Sequence, residues 1–350
     1  MIKVIASDMD GTLLGNDHKV APETLKAIHE ACDAGIRFMI ATGRNFKGAM
    51  EELKETDIVC DYIVGSGAEV RDQKQQNHNQ QKKIALINDF TGFGRCSIAV
   101  QMPIISMLKV QCCAVPTSIF SNHTAYEDYY FTDYTSNMEA YIEQWKNLDL
   151  KFEGICSGFL GSAEQIRIVS EFIQYFRDEN TVAVIDPVMG DNGEAYSTYT
   201  EEMCRQMIRL VRYADVVVPN VTEACILTGT PYKERWTTRE LAKMAEQIVQ
   251  TGPEKVVITG IPQKTYVSNL CFEKGKGYEM IRTHKVGHSR CGTGDIFSAI
   301  IAADAVNGVE FTKSVRKASA FIKKCIQKSI EMEIPLTDGV CFEELMGLLK

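Results

Sequence analysis

The sequence predicts an α/β protein. A mostly parallel sheet with helices on both faces should occupy residues 84–350, preceded by a small α/β module in residues 1–72. Three observations carry this expectation. Short runs rich in Val and Ile, such as 182–185, 216–218 and 255–258, alternate with stretches of helical spacing at 162–177, 201–213 and 239–250. Each run delivers Gly or polar residues just past its end, as strands that feed a ligand edge do. A polar, Gln/Asn-rich stretch at 73–83 has nothing to bury and divides the chain as a linker.

Composition narrows the class. The chain has 350 residues, room for one large domain or two unequal ones. Hydrophobic content of 45% and charged content of 24% are ordinary for a soluble globular protein. A net charge of −8 argues against nucleic acid or an anionic membrane as partner. Twelve cysteines are scattered, apart from the adjacent Cys112 and Cys113. The first apolar stretch is cut by Asp8 and Asp10, which is not a secretory pattern, so reduced thiols in a cytoplasmic protein are expected. No apolar segment approaches the ~18 residues of a membrane span.

In the first module, 2–6 reads as a strand and 22–34 as a helix stopping at Gly35. A second strand, 37–41, runs into Thr42-Gly43-Arg44, and a third begins at 62–64. Asp8 and Asp10 stand two apart at a strand's carboxyl end. Such a pair can hold Mg²⁺, one carboxylate serving as nucleophile and the other as general acid/base.

The second domain opens with a strand at 84–87 and a glycine-containing loop at 88–97, which lacks the Gly-Lys-Ser/Thr of a Walker A loop. Asp89, just past that strand, lies where open α/β sheets bind ligands, although an Asx-turn or cap would also use it. Strand 110–116 leads to Phe120, His123 and Thr124, a polar and aromatic set suited to a small heteroaromatic ring; alone, His123 reads as structural. Strand 153–159 ends in Ser157-Gly158-Phe159 and opens another helix. Later strands deliver Asp186 and Asp191, then Asn220 and Glu223, then Thr259 and Gly260. Any one of these could be a cap. Their shared position favours a site.

Gly292-Thr293-Gly294-Asp295 precedes an apolar run, 296–303, that reads as a buried helix. Unpaired amides at a helix start, approached closely over glycine, suit a phosphoryl group. Asp295 could take the proton of an attacking alcohol, a step that a weak base can perform because the hydroxyl loses its proton late. A glycine turn with Asp295 as a simple cap is the alternative, and the convergent polar groups decide against it.

On Phe120-Ser121-Asn122-His123-Thr124, the 157–165 stretch, Asp186-Pro187-Val188-Met189-Gly190-Asp191, Asn220 with Glu223, and Gly292-Thr293-Gly294-Asp295, residues 84–350 resemble pyridoxal kinases of the ribokinase-like superfamily. The resemblance implies ATP-dependent phosphorylation of the 5′-hydroxymethyl of a B6 vitamer by a homodimer. It implies Asp295 as base and the amides of Gly292, Thr293 and Gly294 as stabilisers of the transferred phosphoryl. It also implies Mg²⁺ organised by Asp186, Asp191 and Glu223, and ATP contacts from Asn220, Thr259, Gly260 and Tyr196. Asp89, Phe120, His123, Thr124 and Phe159 would hold the pyridine ring. Asp89-Phe90 stands where the best-known pyridoxal kinases carry Ser-His, and is closer to hydroxymethylpyrimidine kinases of thiamine synthesis. Those enzymes typically carry Cys in place of Asp295 and lack the Ser-Asn-His-Thr motif, so the pyrimidine alcohol is the alternative substrate. Residues 1–72 resemble the start of a haloacid dehalogenase-type phosphatase, with Asp8 as nucleophile, Asp10 as acid/base and Thr42 as phosphate binder. The family's lysine and second acidic cluster do not follow. The module is then either a hydrolase acting through Asp8 or a vestigial docking or dimerisation piece.

Overall fold

The computed structural model describes residues 2–72 and 81–350, so most of the expected 73–83 linker lies outside the described residues. Two compact units meet in sequence at Gln81 and Lys82.

The first unit comprises β1 (Val4–Asp8), α1 (Pro22–Asp33), β2 (Arg37–Ala41), α2 (Phe46–Leu53), β3 (Asp61–Val64) and β4 (Glu69–Arg71). Its sheet runs β1-β2-β3-β4, parallel except for β4. Pro22 starts α1, where its missing N–H costs nothing. Asn45 caps α2 by accepting the Gly48 N–H at 2.7 Å. Met9, Leu13, Ile28, Ile40 and Leu53 share the unit's core. Asp8 closes β1, and Thr42 follows β2.

The second unit begins with β5 (Lys83–Thr91), α3 (Ser97–Met107), β6 (Gln111–Phe120), β7 (Phe131–Asp133), α4 (Thr135–Asn147), β8 (Gly154–Ser157), α5 (Ala163–Phe176) and β9 (Val182–Ile185). It continues with β10 (Gly190–Asp191), β11 (Glu194–Ala195), α6 (Glu201–Val211), β12 (Val216–Val217), α7 (Val221–Thr228), α8 (Thr238–Val249) and β13 (Lys255–Pro262). The chain closes with β14 (Tyr266–Glu273), β15 (Gly277–His284), α9 (Thr293–Val306) and α10 (Phe311–Glu331), before two short 3₁₀ turns.

Nine strands form the main sheet in the order β15-β14-β13-β12-β9-β8-β5-β6-β7. The six from β13 to β6 are parallel, while β14, β15 and β7 are antiparallel additions at the edges. Side chains alternate along each strand, so Ala85 and Ile87 of β5 enter one core with α4, α5, α6 and α8. Ile84 and Leu86 enter the other core with α3, α9 and α10. α9 lies between α3 and α10 over β8 and β9. Its sides are therefore all covered, which is why Ile296 through Ala303 carries no polar stripe beyond the buried Ser298.

Chain progression turns round at β5, which pairs with β6 on one side and β8 on the other. Such a reversal opens a crevice at the strands' carboxyl ends. Two strands run further than the sequence suggests. β5 continues to Thr91 with an irregularity between Asn88 and Phe90, so Asp89 sits within the strand rather than past it. Thr259 and Gly260 likewise fall inside β13, at a shift between Ile258 and Ile261. At β13 the extra residue lies in β13 itself, whereas at β5 it lies in the neighbouring β6, between Pro116 and Ile119. All twelve cysteines are free thiols. Among the described residues no helix is long and apolar enough to cross a membrane.

Candidate active site

Gly292 begins α9 in the left-handed region, at φ 80°, with no side chain capping the helix. A Cβ there would lie 2.2 Å from the Arg95 carbonyl oxygen, so both backbone angle and space demand glycine. Around Gly294 a Cβ would meet nothing within 4 Å, which leaves its amide approachable. Thr293 turns its hydroxyl back to the Arg290 carbonyl at 3.1 Å.

Asp295 follows Gly294. Burial pushes its carboxyl up to about 6, and nearby Asp89 adds to the rise. The backbone N–H of Ser97 and the side-chain amide of Asn88 oppose it. Ser97 holds a positive φ of 58°, uncommon for a side chain of this kind, at the first turn of α3. Its hydroxyl bonds Asp89, which also accepts the Thr91 hydroxyl at 2.9 Å. Asp89 is buried, and burial raises its pKa despite these bonds and the nearby His123.

Toward the ring side, Phe120 stacks obliquely on Phe131 with centroids 4.8 Å apart. The His123 N–H of the main chain reaches the Phe93 carbonyl at 2.8 Å, while Thr124 lies exposed in the turn. The His123 Nδ1 accepts the Ala125 N–H at 3.1 Å and faces the Cys291 thiol at 3.5 Å, which leaves Nε2 to carry the proton of the neutral ring. Phe159 is half-buried and donates its N–H to the Asn88 side chain at 2.8 Å.

Across Asp295 lies a second set of acids. Asp186 is pushed up to about 8, first by burial and then by Asp295, with only the Ser298 hydroxyl opposing. Glu223 is raised well above the usual range by burial and by Asp186. The phenol of Tyr196 is pushed up to about 12 by burial and by Glu223, Asp191 and Asp186. Asp191 itself is exposed.

Sequence comparison settles what this arrangement belongs to. Residues 99–336 match the phosphomethylpyrimidine kinase family, and residues 5–186 match the haloacid dehalogenase-like hydrolases. The chain belongs to the phosphomethylpyrimidine kinase family. The second unit of this kinase is ribokinase-like, and the haloacid dehalogenase-like match begins in the first unit and runs on to residue 186. A pyridoxal kinase from Ovis aries is 28% identical over 229 residues, 57% of this chain and 69% of its own. A hydroxymethylpyrimidine/phosphomethylpyrimidine kinase from Rhizobium meliloti (strain 1021) is 27% identical over 69% of this chain and 89% of its own. A crystal structure described as a phosphomethylpyrimidine kinase from Bacteroides thetaiotaomicron VPI-5482, an orthorhombic form with pyridoxal, superposes with a TM-score of 0.74 at 35% identity. It covers 77% of this chain and 96% of that one.

In this kinase, Asn220 and Glu223 form a reciprocal cap on α7. The Asn220 Oδ1 accepts the Glu223 N–H at 2.9 Å, and the Glu223 Oε2 accepts the Asn220 N–H at 2.7 Å. Asn220 also donates to the Gly190 carbonyl at 2.8 Å, and the other Glu223 oxygen accepts the Met189 N–H at 3.2 Å. These two residues thus brace the loop that carries Asp186 and Asp191. Thr259 pairs with Asn220 through an isolated parallel bridge, and the Gly260 N–H donates to Asn269 at 3.1 Å.

Among the described residues, no three His, Cys, Asp or Glu side chains are grouped to hold a metal by themselves. Mg²⁺ rarely needs such a cage, since it binds through one or two carboxylates together with substrate phosphates. The acids here fit that mode: Asp186, raised first by burial and then by Asp295, is a carboxyl whose charged form a bound cation would favour.

In the first unit, Arg44 grips Asp10 with two nitrogens, at 3.0 and 2.7 Å, and Glu52 with a third at 2.6 Å. Thr42 is buried and accepts the Arg44 N–H at 3.3 Å, while Asp8 bonds the Met9 N–H at 2.9 Å. Sequence reasoning passed over Asn88, Ser97, Gln101 and Ser298 of the kinase unit. A polar residue inside an apolar helical run was the available signal for Gln101 and Ser298, and no local pattern marks Ser97.

Proposed function

We propose that the second unit transfers the γ-phosphoryl of ATP to the hydroxymethyl group of a B6 vitamer, pyridoxal, pyridoxine or pyridoxamine. The observation that carries this reading is the position of Asp295, beside the amides of a glycine turn, with Asp89 and His123 to one side and Asp186 to the other. The hydroxymethyl oxygen attacks the γ-phosphorus, its proton passes to the Asp295 carboxylate, and the bond to the ADP oxygen breaks. Amides of Gly292, Thr293 and Gly294 stabilise charge on the phosphoryl oxygens in flight. Mg²⁺ would be held by Asp186, with Asp191 and Glu223 around it, and when bound neutralises charge on the ATP phosphates. Asn220, Thr259, Gly260 and Tyr196 border the nucleotide in this reading, whereas Phe120, Thr124 and Phe159 border the ring.

Pyridoxal in the 35% identical structure supports a pyridine alcohol as acceptor. A second reading, phosphorylation of hydroxymethylpyrimidine, is favoured by the matched family's description and by Asp89 in the first loop. The deciding experiment is a coupled ADP-release assay with MgATP across the three vitamers and hydroxymethylpyrimidine. Turnover on a vitamer at least tenfold more efficient than on the pyrimidine alcohol supports our reading; the reverse ratio transfers the assignment to the second.

For the first unit we propose no hydrolase step. A general acid must hold a proton for the leaving group, and the Arg44 guanidinium keeps the Asp10 carboxyl below its usual range.

A further inference from the structure

Three polar side chains behind Asp295 have no role in the scheme above, yet the direction of every hydrogen bond among them is fixed. Two main-chain donors, the N–H groups of Asp89 and Phe159, reach the Asn88 Oδ1 at 2.9 and 2.8 Å. A backbone N–H cannot accept, so this end of the amide must be the oxygen. Asn88 Nδ2 then faces the opposite way, 2.8 Å from Gln101 Oε1 and 3.5 Å from Asp295 Oδ1. With its oxygen taken as acceptor, fully buried Gln101 has Nε2 left to donate, and it does so to Ser298 Oγ at 3.0 Å. Ser298 can then give its own hydrogen only onward, to the Gly294 carbonyl at 3.1 Å, the Asp295 carbonyl at 3.3 Å or the Asp186 carboxylate.

Packing removes the alternatives. A Cβ on Gly158 would come within 2.5 Å of Asn88 Nδ2, so the backbone just past β8 presses directly on the amide. The relay spans β5, α3 and α9, three elements that approach one another only in the folded unit. An amide buried in this way costs free energy unless both ends are bonded, and here both are.

We infer that Gln101 is a positioning residue for phosphoryl transfer. It holds Asn88 Nδ2 against the base and Ser298 against the carbonyls of the anion turn, so that base and amides keep one geometry. Gln101 touches no reacting atom. The inference rests on the kinase reading and adds to it a residue outside the binding surface.

The test uses Gln101→Met, which keeps length and loses both polar ends, Ser298→Ala, and the double variant, all in the full chain. ADP release is measured at saturating vitamer over a range of MgATP, with melting temperatures to confirm folding. A misplaced base should lower kcat by about tenfold or more in Gln101→Met, with KM for ATP within about twofold of the parent. The double variant should be no slower than Gln101→Met, because both substitutions break one relay. Folded variants with parental kcat, or effects that multiply in the double variant, overturn the inference. Should Gln101→Met not fold, Ser298→Ala decides by the same kcat-against-KM comparison. A parent chain with no turnover on any acceptor would instead overturn the kinase reading, and this inference with it.

Discussion

Ser97 donates its backbone N–H to the Asp295 carboxylate and its hydroxyl to Asp89, so one strained residue at the start of α3 ties both acids of the ring side together. The arrangement explains why a part-buried carboxylate beside a second acid remains usable as a base: directed N–H donors favour its charged form against desolvation.

Asp295 must be ionised to accept a proton, and its carboxyl is pushed up to about 6. Activity should therefore fall as pH drops through about 6 and level off above it. A pH profile of kcat/KM for the vitamer reads this limb directly, since that ratio reports groups of the free enzyme. A limb near 4, the value of an ordinary carboxylate, would count against Asp295 as the base.

Replacing that base without changing its shape isolates its chemistry. Asp295→Asn should lower kcat by roughly 10²–10⁴-fold. Titration calorimetry with MgADP should show nucleotide affinity largely retained. Parental turnover in this variant removes Asp295 from the mechanism.

The Asp186 carboxyl, pushed up to about 8, links stability to pH. A raised acid keeps its proton in the folded chain where the unfolded chain has released it. Between about 4 and about 8 its contribution to stability therefore increases as pH falls. Thermal melts without nucleotide or metal should show the Asp186→Asn variant losing less melting temperature than the parent when pH is raised from 6.5 to 8.5. Identical slopes would show that Asp186 does not titrate in this window.

Gly292→Ala would add a Cβ 2.2 Å from the Arg95 carbonyl at a φ of 80°. Both faults act together, so a loss of more than about 1 kcal/mol is expected. Denaturant unfolding gives the number, and kcat should fall with it because the anion turn must shift. Gly294→Ala meets open space and should cost far less stability.

The first unit makes a separate prediction. Asp8→Asn should leave ADP release within about twofold of the parent, and neither protein should release phosphate from aryl phosphates at a measurable rate. Phosphate release lost in Asp8→Asn would restore the hydrolase reading for residues 1–72.

Much of the fold was legible because local chemistry speaks for it. Short length and β-branched content mark Val182–Ile185 as a buried strand, and greater length marks the apolar run after Gly294 as a covered helix. The antiparallel pair β14 and β15 was not legible, since edge strands mix polar and apolar residues and take their pairing from the strand beside them. The ends of β5 and β13 were misplaced for a related reason: a bulge is a property of the ladder, and Asp89 and Thr259 carry no mark of it.

The sequence by itself determined which chemical groups stand at which strand ends, because glycine, aspartate and apolar periodicity act over a few neighbouring residues. Only the tertiary structure decided their partners. Burial beside α3 and β5 raised Asp295, the α7 cap and the Met189 N–H took one oxygen each of Glu223, and the amides of Asp89 and Phe159 oriented Asn88 toward Gln101. Those bonds join residues up to 207 positions apart, as Asn88 and Asp295 are. Local propensity cannot encode such a pairing, because it exists only once the sheet has brought β5, β8 and α9 together.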